Sequence, residues 1–328
     1  MRRPFPTGTI VRPGSLDERR DRLNCAGESQ GDRGEILAAA SLQTFQGYLA
    51  LTKPRILLLV LFTALPVMAM AGEQRPGVAY GAMVLLGIAL AASAANALNC
   101  YIERDLDAVM ERTRSRPLPA EEIRPASALI FGLVLGVIAI ALLQAIAGPV
   151  AAALGLASIL FYVFVYTVWL KPRSAWNAVI GGAAGAAAPL IADAALHGRV
   201  GAVGWLLFAI IFFWQPPHVW AIALFRKSDY QRAGIPMLPN VIGDQPTRWR
   251  MLWFTLALVP VTLAPVALGR LGAAYLTAAL LLNVWFVWIA VQVLRDRSDA
   301  AARHMFHVSL AYLALLFVAM LVDRALAV

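Results

Sequence analysis

Charge is what this sequence has little of. Asp, Glu, Lys and Arg make up 14% of its 328 residues, and 60% are hydrophobic. A soluble domain carries about a quarter charged residues and roughly half apolar ones, so a water-soluble globule is excluded. Cysteine is scarce as well. Cys25 and Cys100 are the only two; they build no disulfide framework, and neither has the spacing of a zinc ligand. Strict polar–apolar alternation is missing too, which excludes a transmembrane barrel. The net charge of +9 would suit nucleic acid. In a membrane chain the plainer cause is an excess of Lys and Arg on inner loops, so no nucleic-acid partner is expected.

What the sequence does have is long apolar runs, each roughly 20 residues and so long enough to span a bilayer as a helix. The expected fold class is all-α, a polytopic membrane bundle of about nine helices. Their spans lie near 48–71, 77–102, 126–147, 149–170, 175–195, 202–225, 251–268, 271–294 and 305–326. Residues 1–46 are polar and read as a flexible cytoplasmic extension ahead of a membrane domain over 47–328. This tail is rich in Arg, but Asp17, Glu18, Asp21, Glu28, Asp32 and Glu35 spoil it as a transit peptide, and it lacks the apolar core of a signal peptide. Of the 28 Lys and Arg residues, only Arg75, Arg199, Arg270 and Arg324 fall on the outer side if the N-terminus is inside. That bias places the N-terminus in the cytoplasm.

The loops after the second and sixth spans are long, about two dozen residues each, where most others are a handful. Both face the cytoplasm in this topology and both mix acids, bases, Pro and Gly, so one site is expected there. The first follows "NALNCYIERDLDAVMERTRSRPLP", Asn96 to Pro119. Asn99, Glu103 and Asp107 are spaced i, i+4, i+8, which lines three oxygen-bearing side chains along one helical face. Such a stripe suits a hard cation, and Mg²⁺ commonly takes one or two carboxylates plus water and substrate phosphate. Arg112, Arg114 and Arg116 follow directly, and guanidinium forks clamp phosphate. Together they describe a diphosphate site at the membrane edge, with a solvated, self-paired helix end as the bland alternative.

This stretch resembles the first aspartate-rich motif of the intramembrane prenyltransferases, N-x-x-x-D-x-x-x-D followed by R-T-x-x-R-P. Asn99, Asp107, Arg112, Thr113, Arg116 and Pro117 match, and Glu103 stands where the family usually has Asp. "WQPPHVWAIALFRKSDYQRAGIPMLP", Trp214 to Pro239, resembles the protohaem IX farnesyltransferases more narrowly, as do "LTKPRI" and "SAWNAVIGGAAGAAAPLIADAA". The resemblance covers about residues 45 to 320 and leaves the tail without a counterpart.

In the second loop Asp229 fits the family's nearer acid, while Arg226 stands where the farther acid belongs, beside Lys227. The resemblance implies diphosphate binding by Arg226 and Lys227, with Asp229 as a further Mg²⁺ ligand. Lys53 is a candidate for the same cationic rim; Arg55 reads as topology-setting charge. His218 lies inside a span after Pro216 and Pro217. An ionisable group there is a functional candidate by default: it can ligate haem iron, bind a propionate or move a proton. Asn177 and Tyr166 are further candidates near the site. Asp193 reads as interfacial, and "GGAAGAAAP", Gly181 to Pro189, reads first as close helix packing and second as room for an isoprenoid or a flat macrocycle.

The resemblance implies an enzyme of the bacterial inner membrane. It would move the farnesyl group of farnesyl diphosphate onto a vinyl group of haem B, giving haem O, with Mg²⁺ as cofactor and a haem A synthase as downstream partner. Asn99, Glu103, Asp107 and Asp229 would hold the metal, with His218 in the catalytic set. Lys53, Arg112, Arg116, Arg226 and Lys227 would hold the diphosphate. Two rivals stay open: a prenyltransferase of the same fold acting on an aromatic ring, and a transporter of anionic lipid. Transporters put charge near the bilayer midplane, whereas these charges gather at one rim.

Overall fold

The computed structural model describes residues 42–71 and 77–327, and among these helices are the only regular structure. Residues 1–41, most of the expected extension and Cys25 with it, lie outside the described residues, as does Arg75. The helices are α1 Leu42–Leu51, α2 Pro54–Ala69, α3 Val78–Val109, α4 Pro125–Leu160 continuing as a π-helix over Phe161–Leu170, α5 Asn177–Gly185, α6 Ala187–His197, α7 Ala202–Phe225, α8 Lys227–Arg232, α9 Leu238–Ile242, α10 Asp244–Ala267, α11 Ala273–Asp296 and α12 Asp299–Leu326. Seven helical stretches are long and apolar enough to cross a membrane, or eight if α1 and α2 form one broken span.

The longest stretch, Pro125–Leu170, does not run straight. Gly148 adopts φ 83° and ψ 179°, a backbone state that glycine reaches without penalty, and Pro149 then has no N–H to continue the ladder. A Cβ built on Gly155 would lie 2.8 Å from the Leu143 side chain. In a straight helix those residues would be about 18 Å apart. The chain therefore folds back at Gly148, and its two limbs pack side by side. The expected span over 175–195 is likewise divided, with α5 and α6 meeting at Ala186.

Three helices outrun the apolar spans within them, α3 over the stretch where the i, i+4, i+8 spacing already implies a helix. α3 continues to Val109, α10 begins at Asp244 and α12 at Asp299, where hydropathy ends those spans at 102, 251 and 305. Hydropathy falls at the first charge, but the backbone ladder does not; helical hydrogen bonding persists wherever the side chains find partners. At the end of the bundle away from the charged loops, two buried acids join helices. Asp193 is 1% exposed and its Oδ2 accepts from the Gly201 N–H at 2.6 Å and the Gly204 N–H at 3.3 Å. Asp323 accepts from the Gly272 N–H at 2.7 Å and the Tyr275 N–H at 3.0 Å. Each satisfies the open donors at a helix start, where negative charge is favoured. Asp193, read as interfacial from its place near the end of a span, is thus a buried helix cap from a neighbouring helix.

Candidate diphosphate site and apolar cavity

One face of α3 organises the site. Ala92, Asn96, Asn99, Glu103 and Asp107 recur at spacings of three and four and so form a single stripe. Asn99, Glu103 and Asp107 are all buried, at 2%, 4% and 3% exposure, and each has a polar partner. Asn99 Oδ1 accepts from Lys53 Nζ at 2.8 Å, and its Nδ2 donates to Thr167 Oγ1 at 3.0 Å. Lys171 Nζ donates to Glu103 Oε1 at 2.5 Å. Arg116 Nη1 donates to Asp107 Oδ2 at 2.6 Å, and Thr113 Oγ1 donates to the Asp107 carbonyl at 2.9 Å. Lys53 holds φ 55°, the left-handed region, directly before Pro54. A non-glycine residue in that conformation costs free energy and persists only where its surroundings hold it.

Lys171 and Thr167 carry no signal in the sequence analysis. Their placement depends on the π-helix, whose i→i+5 bonding sets residues five apart over one another. Thr167 Oγ1 donates to the Tyr162 carbonyl at 2.8 Å, and the Lys171 N–H donates to the Tyr166 carbonyl at 2.9 Å. The Tyr162 and Tyr166 rings lie 5.2 Å apart on the same wall. Burial pulls the Lys171 ammonium toward neutrality, but Tyr166 and Glu103 outweigh it and leave its pKa above the ordinary lysine value. At Arg116 burial again opposes the charge and Asp107 overcomes it, so its pKa is also raised. Both side chains therefore carry full positive charge at neutral pH.

The second loop meets the first through Arg232. Its guanidinium pairs with Asp229 Oδ1 and lies 3.8 Å from Glu111 Oε2, while Met110 at the end of α3 packs among Tyr230, Ile235 and Met237. Asp229 is 2% exposed, and its Oδ2 is buried without a hydrogen-bond partner. Lys227 turns elsewhere: its Nζ donates to Asp244 Oδ1 at 2.7 Å. The Arg226 guanidinium lies 6.0 Å from the Phe225 ring centre. Arg112 is exposed. Asn177 is taken up by the turn before α5, where its Nδ2 donates to the Ser174 carbonyl at 2.7 Å.

The donor chemistry fits a hard divalent cation. The acids offer oxygen only, and the unpartnered Asp229 Oδ2 is a buried acceptor that a cation would satisfy. The expected four ligands do not meet as one shell, however. Among the described residues no three of His, Cys, Asp and Glu come together as a metal site, and the Asn99 oxygen already holds Lys53. A Mg²⁺ ion here would take one or two carboxylates and complete its shell with water and phosphate.

Beyond Asn96 the α3 stripe enters a cavity of about 670 Å³, within the range of sites that enclose small molecules. Arg55, Asn96 and Tyr166 stand in its wall together with Ile88, Leu59 and Ile191. Arg55, expected only to set topology, thus borders it. The small-residue stretch contributes Gly181, Gly182, Ala184, Gly185, Ala187 and Ala188 to the same wall. Cavity lining, the second of the two roles read for that stretch, is therefore present. Packing is present too, since a Cβ on Gly185 would come within 2.5 Å of Gln215 Nε2. His218 borders the cavity and rests on the Trp214 ring at 4.5 Å between centres. His304 and His307 are exposed.

Comparison with known proteins identifies the family of the chain. The family model described as "UbiA prenyltransferase family" matches residues 60–320. The chain is 48% identical over 277 residues to a protein named protoheme IX farnesyltransferase from Gloeobacter violaceus, covering 84% of this chain and 91% of that one. It is 47% identical over 296 residues to a protein of the same name from Methylobacterium nodulans, covering 89% and 93%. Among solved structures, a digeranylgeranylglyceryl phosphate synthase superposes with TM-score 0.73 at 16% identity, over 86% of this chain and 98% of that one. A UbiA homologue from Archaeoglobus fulgidus, solved with DMAPP and Mg²⁺, superposes with TM-score 0.59 at 17% identity, over 83% and 98%. At such identities the likeness shows the fold alone, and it is the family model and the two close relatives that place the sequence: this chain belongs to the UbiA prenyltransferase family, an all-helical group of integral membrane proteins.

Proposed function

We propose that this protein transfers the farnesyl group of farnesyl diphosphate to a vinyl group of haem B, with addition of water, giving haem O and diphosphate. The observation that carries the reading is the α3 stripe, which leads from an apolar cavity past Asn96 to the buried carboxylates of Glu103 and Asp107. A substrate with an isoprenoid tail and a charged head matches that gradient, and the names of the close relatives support the chemistry.

The residues divide the work as follows. Lys53, Lys171 and Arg116 now neutralise the α3 stripe. When the diphosphate arrives they turn to its oxygens, joined by Arg112 and Arg226, and release the carboxylates beneath. Glu103 and Asp107 would then hold Mg²⁺, with its shell completed by water and phosphate and the free oxygen of Asp229 open to the same or a second ion; the metal supplies Lewis-acid neutralisation of the departing diphosphate. Breaking the allylic C–O bond sends its electron pair out with the diphosphate. The vinyl π pair forms the new C–C bond, and water adds beside the porphyrin and gives up one proton. Tyr162 and Tyr166 face the allylic carbon with their rings, where positive charge develops. Lys227 stands apart from this set in an exposed pair with Asp244.

The topology we assign has nine crossings, counting the two limbs of Pro125–Leu170 separately, with the N-terminal extension over 1–46 and both charged loops on the cytoplasmic face of the bacterial inner membrane. The bias of Lys and Arg supports that orientation. Membranes from a host that makes no haem O, carrying this protein and supplied with farnesyl diphosphate, should yield haem O on pigment extraction and mass analysis. Thorough chelation should stop the reaction and added Mg²⁺ restore it. A prenylated aromatic product in place of farnesylated haem would overturn the reading.

A further inference from the structure

His218 and Ser309 face each other across α7 and α12. His218 Nδ1 lies 2.7 Å from Ser309 Oγ. The Ser309 hydroxyl is itself 2.6 Å from the Phe306 carbonyl, to which it donates. A hydroxyl has one proton. If Ser309 gave that proton to His218, two lone-pair oxygens would be left 2.6 Å apart with nothing between them. The proton between the two side chains therefore belongs to the imidazole, and His218 is the Nδ1–H tautomer. Its Nε2 then carries a lone pair. That atom has no hydrogen-bond partner among the described residues, and it is not among the buried unpaired atoms although the ring lines the cavity.

The ring is also fixed in direction. Trp214 lies 4.5 Å and Phe306 4.9 Å from its centre, and Trp214 Nε1 donates to the Ser309 carbonyl at 2.7 Å. Ser309 is 0% exposed, so water does not compete for its hydroxyl. A histidine held through its Nδ1–H by an anchored acceptor, with Nε2 open to a cavity, is the arrangement of a metal-ligating histidine whose outer partner sets tautomer and basicity. The cavity around it is lined in part by Gly181, Ala184 and Gly185, with the Tyr166 ring and the Gln215 amide packed close against those glycines.

Resting on the reading of haem as substrate, we propose that Ser309 is a positioning residue that locks His218 with Nε2 as an axial ligand to the porphyrin iron. Coordination fixes the macrocycle in the cavity, so that one vinyl edge is held toward the isoprenoid. The step forms one Fe–N bond from the Nε2 lone pair and needs no change of redox state.

The test uses the full chain in lipid nanodiscs loaded with ferrous haem B, read by resonance Raman scattering. Wild type should show an iron–histidine stretching band. His218→Gly should lose that band and regain it with added imidazole, a rescue that a purely structural histidine would not allow. Ser309→Ala should keep the band at lower frequency, because Nδ1–H has lost its acceptor, and should weaken haem binding on the order of tenfold. A band that survives in His218→Gly, or a Ser309→Ala protein unchanged in both frequency and affinity, overturns the proposal. Wild-type protein that makes haem O without a His218-dependent band loses this inference and keeps the function; wild-type membranes that make no haem O lose the function itself.

Discussion

The two charged loops are built differently, although both lie at the same end of the bundle. On the first, every buried acid has its cation: Glu103 has Lys171 and Asp107 has Arg116. On the second, Asp229 has Arg232 at one oxygen but keeps the other buried and unpaired, while Lys227 is drawn off to Asp244. On the proposed function the first loop is a set of ion pairs that an incoming diphosphate would reopen. The second already offers an acceptor. On the proposed function, opening the first moves each ammonium or guanidinium to phosphate while Mg²⁺ would take its place beside the carboxylates, so the buried acids would keep a positive neighbour. This matters because an uncompensated buried charge is far more costly than the pair it came from.

On that contrast the largest effect belongs to the first loop. Asp107→Ala should lower haem O formation on the order of a thousandfold, the scale of losing a principal electrostatic group, while chromatographic behaviour and helix content stay normal. Haem O output near wild type from that variant would remove Asp107 from the site. Next comes the Glu103–Lys171 pair. Lys171→Met should cost activity about a hundredfold and also lower Tm, because it strands a buried carboxylate. The double variant Glu103→Gln with Lys171→Met should recover the stability and not the activity. Should the double variant be less stable than Lys171→Met alone, the pair is not the closed unit described.

Part of this site could be read from the residues alone, and the limit has a physical cause. Asn99, Glu103 and Asp107 were legible because their spacing is local and α-helical. The apolar spans were legible because composition decides membrane residence. Lys171 was not: it meets Glu103 across 68 positions of sequence, and its direction is set by a π-helical stretch that no residue of "FYVFVYTVWL" announces. The apolar spans mark where membrane residence ends and not where the helices of α3, α10 and α12 end, because hydropathy does not see the backbone ladder. The capping role of Asp193 was not legible because its partners, the open N–H groups of α7, become visible only when α6 and α7 are folded together. The division of the small-residue stretch between packing and cavity wall needs the positions of α3 and α7, which local pattern does not contain.

The second loop should answer more weakly to substitution. Asp229→Asn keeps the shape of the side chain and its contact to Arg232, and removes only the charge. We expect about a tenfold fall in turnover and a raised Mg²⁺ requirement, measured by titrating the metal at fixed farnesyl diphosphate. An unchanged Mg²⁺ dependence would assign the free oxygen to packing and leave the metal to α3 alone.

The smallest effect tests the contrast from the other side. Lys227 and Asp244 are both well exposed, at 39% and 41% for their side chains, and exposed pairs of this kind contribute about 0–1 kcal/mol. Lys227→Ala should therefore change neither Tm nor haem O formation by more than about threefold in rate, and Asp244→Asn should match it. Two adjacent cations on one loop would then differ sharply in weight, with Arg226→Ala the more damaging of the pair. If Lys227→Ala instead raised the KM for farnesyl diphosphate as much as Arg116→Ala does, Lys227 would leave Asp244 for the diphosphate on binding, and the second loop would be as much an ion-pair exchanger as the first.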